Sequence, residues 1–111
     1  MKIPQDGQLL RIFIGEADKW NGRPLYEEII ALARREMLAG ATAIKGFLGF
    51  GCKSRMHSAK ILRLSADLPV IIEIVDSEEK IARLLPHLDE MVQEGLITLE
   101  KANVVMYRAG V

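Results

Sequence analysis

Along this chain, the spacing of apolar residues switches between the period of a β-strand and that of a helix. Leu10, Ile12 and Ile14 alternate with other residues near the N-terminus, which is typical of a strand. Apolar residues then recur three and four positions apart, which indicates a helix. Pro24 suits the first turn of this helix and Gly40 is expected to end it. A strand followed by a helix therefore opens the chain.

A strand and a helix also follow one another in the second half. The run Leu68–Val75 is the most strand-like segment of the chain, and the apolar stripe after it predicts a helix that ends near Gly95. Asp76, with Glu79 three residues later, has the spacing of a helix N-cap. Pro86 lies inside this helix and predicts a bend.

Taken in order, the predicted elements are β-α-β-β-α-β, the split βαβ pattern of ferredoxin-like folds. The sequence thus predicts a single α+β domain over residues 1–111, with a four-stranded antiparallel sheet and two helices on one face. The predicted strands are Gln8–Gly15, Ala41–Phe50, Leu68–Val75 and a last strand from Ile97 or Thr98 to Arg108.

Both faces of the predicted strands carry apolar residues, although two helices can cover only one face of a four-stranded sheet. Antiparallel sheets that face water normally alternate between apolar and polar residues. We therefore expect the second face to be covered by other copies of the chain. On that less apolar face, Arg11 and Glu73 would lie on neighbouring central strands, and they are expected to pair across the sheet.

The overall charge excludes one class of partner. Lysine plus arginine and aspartate plus glutamate number 15 each, so there is no general attraction to nucleic acid or to an anionic membrane. Cys52 is the only cysteine, residues 1–7 lack the apolar stretch of a signal peptide, and no apolar run reaches the about 18 residues of a membrane span. These features predict a cytoplasmic protein that does not insert into membranes.

One segment, from Lys45 to His57, combines glycines, aromatic rings and cations between a predicted strand and a polar loop. Glycine allows a backbone to approach a ligand, aromatic rings can stack, and cations can hold an anion. The mixture suits a phosphorylated planar molecule. A second interpretation is that the glycines serve hairpin geometry and the aromatic residues are core. The candidate binding residues are Lys45, Gly46, Phe47, Gly49, Phe50, Gly51, Lys53, Arg55 and His57.

Catalytic and metal-binding roles are not predicted for this segment. A zinc site needs several nitrogen, sulfur or carboxylate ligands, and only Cys52 is near His57 in sequence. A nucleophilic Cys/His pair lacks an evident third group to orient the histidine. Two alternatives stay open: a small phosphohydrolase that uses His57 as acid or base, and a structural trimeric adaptor without a ligand.

Short motifs throughout the chain resemble one family. The chain is similar to the PII-like signalling proteins, specifically to a subgroup catalogued as a domain of unknown function. The motifs that carry this resemblance are Gly15-Glu16-x-Asp18, Gly22-x-Pro24-Leu25-Tyr26, Gly40-Ala41-Thr42, Gly46-x-x-Gly49-Phe50-Gly51, Ser54-x-x-His57, Leu64-Ser65-x-Asp67-Leu68-Pro69, Glu73-Ile74-Val75-Asp76 and Glu94-Gly95-Leu96-Ile97-Thr98.

The resemblance implies a homotrimer with adenine nucleotides in clefts between subunits, and no metal or other cofactor. It also implies that the loop after the second strand, near Ser54–Ser65, signals to a protein partner, for which a membrane transport protein is one candidate. Lys45-Gly46-Phe47 matches the family stretch at the base of that loop.

Two departures from true PII proteins refine this expectation. The connection from Gly51 to Asp67 is shorter than the PII signalling loop and has no tyrosine, so uridylylation is not expected. The segment Gly95–Lys101 lacks the paired glycines of the PII phosphate turn. AMP or ADP is therefore expected to bind in preference to ATP with magnesium.

Overall fold

The computed structural model describes residues 6–51 and 67–110, together with the backbone of residues 56–58. In chain order the elements are β1 (Asp6–Gly15), β2 (Lys19–Trp20), β3 (Arg23–Pro24), α1 (Leu25–Arg35), β4 (Thr42–Lys45), β5 (Leu48–Phe50), β6 (Met56–Ser58), β7 (Pro69–Asp76), α2 (Glu78–Met91) and β8 (Leu96–Asn103). No helix within these ranges is long and apolar enough to cross a membrane.

The main sheet has four antiparallel strands in the order β4-β7-β1-β8. This is the predicted ferredoxin-like arrangement, in which the first and third strands of the pattern are central and the second and fourth are edges. The short strands β2 and β3 form one separate hairpin, and β5 and β6 form another.

The core lies between one face of the sheet and the two helices. Alternation assigns every second residue of each central strand to this covered face, and the helices contribute residues three and four positions apart. The largest fully buried apolar side chains are Leu10 and Ile12 of β1, Ile72 and Ile74 of β7, Ile29 and Leu32 of α1, and Ile81, Leu84 and Leu88 of α2.

The first helix ends earlier than the predicted stop at Gly40. α1 ends at Arg35, and Met37 takes a left-handed conformation with φ of 62°. The Leu38 N–H donates to the Ala33 carbonyl at 3.0 Å and the Met37 N–H to the Arg34 carbonyl at 3.1 Å, a Schellman motif formed without glycine. The buried Leu38 side chain holds the end of the helix against the core. Residues 39–41 then connect α1 to the start of β4.

The predicted N-cap of the second helix is wrong by one residue. Ser77 is the N-cap, and its hydroxyl accepts a hydrogen bond from the Lys80 N–H at 3.2 Å. Asp76 is instead the last residue of β7, where its carboxylate binds other backbone groups. α2 continues through Pro86, and the expected bend stays a prediction.

The predicted second and fourth strands are also too long. The segment Ala41–Phe50 divides after Lys45 into β4 and the separate strand β5, because the backbone leaves the sheet at Gly46. β8 ends at Asn103 rather than Arg108. Beyond it the chain runs across the end of the sheet, where the Tyr107 hydroxyl donates to the Ala39 carbonyl at 3.2 Å.

Candidate functional site

Two glycines of the predicted binding segment pack against Pro69 at the start of β7. A Cβ atom at Gly46 would lie 2.8 Å from Pro69 Cγ, and one at Gly49 would lie 3.1 Å from the same atom. The Gly46 N–H also donates to the Pro69 carbonyl at 2.7 Å. Neither glycine has a positive φ. Close approach of the β5–β6 hairpin to Pro69 therefore explains both glycines without a ligand.

Replacing Gly46 with alanine is expected to lower the free energy of unfolding by about 1–2 kcal/mol, because the added methyl group overlaps the rigid Pro69 ring. Gly51 is the matched control, since a Cβ there meets nothing within 4 Å and alanine restricts the unfolded chain. Urea unfolding of both variants measures the difference. Equal stability of Gly46→Ala and the wild type would show that the Pro69 contact gives way freely.

The aromatic residues of the same segment are not part of the core. Phe47 is 77% exposed and Phe50 is 70% exposed, with Leu48 between them at 54%. The interpretation of these rings as core residues is therefore wrong for the single chain. They form an exposed apolar surface on β5 and the residue before it, and such a surface is available to a ligand or to another protein.

Lys45, the last residue of β4, already has an anionic partner. Its Nζ lies 2.7 Å from Oε2 of Glu16 in the loop after β1. The Lys45 side chain is 55% exposed and that of Glu16 is 27% exposed, so the ammonium group still faces solvent. The structure thus keeps a half-exposed cation at the base of the glycine-rich hairpin.

A set of backbone contacts holds the Glu16 loop in place. The Gly15 N–H donates to the Asp18 carboxylate at 2.9 Å, and the Ala17 N–H donates to the Asp67 carboxylate at 3.0 Å. The Glu16 N–H donates to the Leu68 carbonyl at 2.7 Å. A Cβ at Gly15 would meet an Asp67 carboxylate oxygen at 2.5 Å, so a larger residue there would displace the carboxylate that accepts the Ala17 N–H.

The remaining predicted binding residues are described only in part. Gly51 lies next to open space. The backbone of His57 pairs with Gly49 across the β5–β6 hairpin, but its side chain lies outside the described residues, as do Lys53 and Arg55. Ligand binding by these residues stays a prediction.

An open cleft on the uncovered face of the sheet was not predicted from the sequence. It has a volume of about 350 Å³ and lies at the end of the sheet where β4 begins and β7 ends. The residues that line it are Leu9, Ala39, Gly40, Ala41, Thr42, Glu73, Val75, Val104, Met106 and Tyr107. The one sequence feature that could have indicated this cleft is the run of small residues before Thr42, part of which belongs to the family motif Gly40-Ala41-Thr42.

The wall of the cleft formed by Ala39 is held from two sides. The Ala39 N–H donates to the buried Asp76 carboxylate at 2.8 Å, and its carbonyl accepts from the Tyr107 hydroxyl at 3.2 Å. The Lys80 ammonium also donates to the Met37 carbonyl at 2.9 Å, two residues earlier. The cleft therefore has a fixed backbone edge in the single chain.

The rest of the uncovered face consists of apolar and charged rows. One row crosses all four strands with apolar side chains, namely Ile44, Ile71, Phe13 and Leu96. In the next row, Arg11 Nε donates to Glu73 at 2.9 Å, which confirms the predicted cross-strand pair, and Arg11 Nη1 donates to Glu100 at 2.7 Å. The hydrogen bond to Glu73 raises the pKa of Arg11.

The family to which the chain belongs is shown by comparison with known sequences. A family model described as "Uncharacterized ACR, COG1993" (DUF190) matches residues 7–104. The chain belongs to this family. A UPF0166 protein from Methanocaldococcus jannaschii is 42% identical over 98 residues, which are 87% of this chain and 90% of the relative. A UPF0166 protein from Aquifex aeolicus is 38% identical over 98 residues, which are 88% of this chain and 92% of the relative.

Solved structures show that this DUF190 chain has a PII-like fold. CPII from Thiomonas intermedia K12, in a structure bound to ADP and bicarbonate, superposes with a TM-score of 0.66 at 21% identity, covering 89% of this chain and 88% of CPII. A second structure of CPII, described as a nitrogen regulatory PII-like protein and bound to ADP, AMP and bicarbonate, gives a TM-score of 0.65 at 18% identity, covering 93% and 97%. The predicted resemblance to PII-like proteins is thereby confirmed.

Proposed function

We propose that this DUF190 chain is a single-domain, cytoplasmic regulatory protein that binds an adenine nucleotide in clefts between the subunits of a homotrimer. AMP or ADP is the preferred ligand over ATP. Occupancy of the cleft is passed to a protein partner through the connection between β4 and β7. The CPII structures contain ADP or AMP in a related fold, which supports the choice of nucleotide.

The observation that carries this proposal is the position of the 350 Å³ cleft relative to the glycine-rich hairpin. Thr42 at the start of β4 lines the cleft, and Lys45 at the end of β4 stands at the base of the hairpin. Three residues of strand span about 10 Å. A mononucleotide or a nucleoside diphosphate lying along the edge strand β4 can therefore place its base in the cleft and its phosphates at the base of the hairpin. The Lys45 side chain reaches this place only around the β4 edge, because Lys45 pairs with Val70 on the helix-covered side of the sheet.

The cleft at the start of β4 suits a nucleotide base, and the base of the hairpin at the end of β4 suits its phosphates. Leu9 and Val75 give the cleft apolar surface, while the Thr42 hydroxyl and the backbone of Gly40 and Ala41 are placed to offer hydrogen bonds to a base. At the other end, Lys45 and the open backbone at Gly51 suit an anion. The cleft is open on the face of the sheet, so a neighbouring subunit is needed to enclose the ligand.

The uncovered sheet face supports the assembly. In a single chain the ends of its apolar row, Ile44 and Leu96, would remain exposed to water, which antiparallel sheets normally avoid. Arg11 forms ion pairs with both Glu73 and Glu100 before association, so each of the three charged side chains keeps a partner of opposite charge when this face is buried, and the cluster carries one net negative charge. Packing of three such faces around a common axis would cover the face in every subunit.

Nucleotide binding is expected to raise the melting temperature. A ligand at a concentration 100 times its dissociation constant adds about 2.7 kcal/mol per site, which corresponds to an increase of several degrees for a domain of this size. A thermal screen with AMP, ADP and ATP measures the effect, with adenosine and inorganic phosphate as separate controls. The largest shifts are expected with AMP and ADP. No shift with any of the three nucleotides at millimolar concentration would contradict the proposal.

The two alternative functions give different results in the same experiment. A phosphohydrolase would convert the nucleotide to product, which chromatography of the sample after incubation would detect, and a His57→Ala variant would bind without turnover. A structural adaptor would show no nucleotide-dependent shift, while its glycines would still affect stability. Recovery of unchanged nucleotide from a stabilised protein is the result that the regulatory proposal predicts.

A further inference from the structure

The electrostatic character of the cleft on the uncovered face depends on a single side chain. Among the described residues that line the cleft, Glu73 is the one with a charged side chain, and none of them is a lysine, an arginine or a histidine. A carboxylate repels a phosphate group but accepts hydrogen bonds from N–H donors. The lining therefore suits the base of a nucleotide, and in particular a base that carries an amino group.

The Glu73 carboxylate keeps hydrogen-bonding capacity after its contact within the chain. Its Oε2 accepts a hydrogen bond from Arg11 Nε at 2.9 Å, and within the described parts of the chain Oε1 has no hydrogen-bond partner. The two oxygens of a carboxylate together offer about four acceptor positions. The Glu73 side chain is 35% exposed, so a further N–H group can reach it. Glu73 can therefore accept a hydrogen bond from a ligand without losing Arg11.

The surroundings of Glu73 favour such a donor. Arg11 is shared between two carboxylates, because its Nη1 also donates to Glu100 at 2.7 Å, and the cluster has an excess of one negative charge. Burying this face makes a further donor to the excess charge more valuable. Glu73 pairs in register with Thr42 at the start of β4, and both residues line the cleft, whereas Glu100 does not. Of the two carboxylates, Glu73 is the one that a ligand in the cleft meets.

We propose that Glu73 selects nucleotides whose base carries an amino group, by accepting a hydrogen bond from the 6-amino group of adenine. This inference rests on the proposed nucleotide function, and it gives a reason within this chain for the choice of adenine. A base without the amino group would exclude water from the carboxylate and return no hydrogen bond to it. Sites of this kind reject the analogue that lacks the donor more strongly than apolar sites do.

The test compares the binding of AMP with that of purine riboside 5′-monophosphate, in which hydrogen replaces the 6-amino group, by isothermal titration calorimetry. The wild type is expected to bind AMP about tenfold to hundredfold more tightly. In Glu73→Leu the acceptor is removed while Arg11 keeps Glu100, and the preference should fall to within about threefold. Glu100→Leu is the matched control, because it removes the other partner of Arg11 from outside the cleft and should keep the preference.

A second variant, Glu73→Gln, keeps the size of the side chain and an uncharged acceptor, so its preference should lie between those of the wild type and Glu73→Leu. Equal binding of the two compounds by the wild type would overturn the role of Glu73 while leaving nucleotide binding in place. A full preference in either Glu73 variant, or an equal loss in Glu100→Leu, would do the same. A wild-type protein that binds none of AMP, ADP and ATP would overturn both the inference and the proposed function.

Discussion

Ile71→Glu is expected to convert the proposed homotrimer into folded single chains. Ile71 lies on the central strand β7, in the apolar row of the uncovered face, opposite Ile44 on one side and Phe13 on the other. A carboxylate placed there would be buried without a partner on association, and the penalty is several kcal/mol for each copy. The assembly constant should therefore weaken by at least about 1000-fold.

The fold itself should survive this substitution, because Ile71 points away from the core formed by Ile72 and the helices. Light scattering after size-exclusion chromatography measures the mass, and circular dichroism reports the fold. Met37→Glu is the control, since Met37 is 67% exposed at the end of α1 and away from the sheet face. A wild-type mass of one chain, or an unchanged trimer in Ile71→Glu, would contradict the proposed interface.

Loss of nucleotide binding is expected in the same variant. The cleft is open toward the uncovered face, so a nucleotide bound to a single chain would remain largely in water. If Ile71→Glu is monomeric yet binds ADP as tightly as the wild type, the ligand site is contained within one chain and the proposed position between subunits is wrong.

Asp76→Ala is expected to lower the free energy of unfolding by about 2–4 kcal/mol. Asp76 is 1% exposed, and its carboxylate accepts the N–H groups of Ala39 at 2.8 Å and Ser77 at 2.7 Å. Alanine would leave both donors without this partner in a buried place. Because the Ala39 N–H is one of the two attachments of the cleft wall, nucleotide affinity should also decrease.

Urea unfolding and calorimetric titration with ADP measure the two effects. Asp89→Ala is the matched control on the exposed surface of α2, and it should change neither stability nor affinity. A loss of stability in Asp76→Ala without any loss of affinity would show that the cleft wall keeps its shape through the Tyr107 contact alone.

The strand faces and the sheet order could be predicted from the sequence because they depend on periodicity. On β1 the aliphatic residues Leu10 and Ile12 face the helices, while Arg11 takes the other face. The same alternation on β7 places Glu73 opposite Arg11, which made their ion pair predictable. Periodicity is a local property of the chain, and here the tertiary structure follows it.

The cap of α2 and the glycines near β5 could not be assigned in this way. Asp76 and Ser77 are both suitable N-cap residues, and the choice depends on the Ala39 N–H, which belongs to a distant part of the chain. Gly46 and Gly49 have the same sequence signature whether the close neighbour is a ligand or Pro69. In each case a long-range contact decides what the local pattern leaves open.

The cleft was beyond prediction for a related reason. Ala39, Val75 and Tyr107 come together only after β4, β7 and the segment following β8 meet at one end of the sheet. The sequence placed the ligand at the conspicuous glycine-rich hairpin, because that segment concentrates unusual residues. The cleft is built from ordinary residues, and their placement rather than their type makes the concavity.

The hydrogen bond from the Gly46 N–H to the Pro69 carbonyl marks the point where the chain passes from β4 of the main sheet into the β5–β6 hairpin. The exposed residues Phe47, Leu48 and Phe50 can change with little effect on the buried side chains of the helices and central strands. Selection could therefore alter this exposed surface for new recognition tasks, while the buried core keeps its packing. In this chain, the residues that are free to vary and the residues that stabilise the core therefore belong to different parts of the structure.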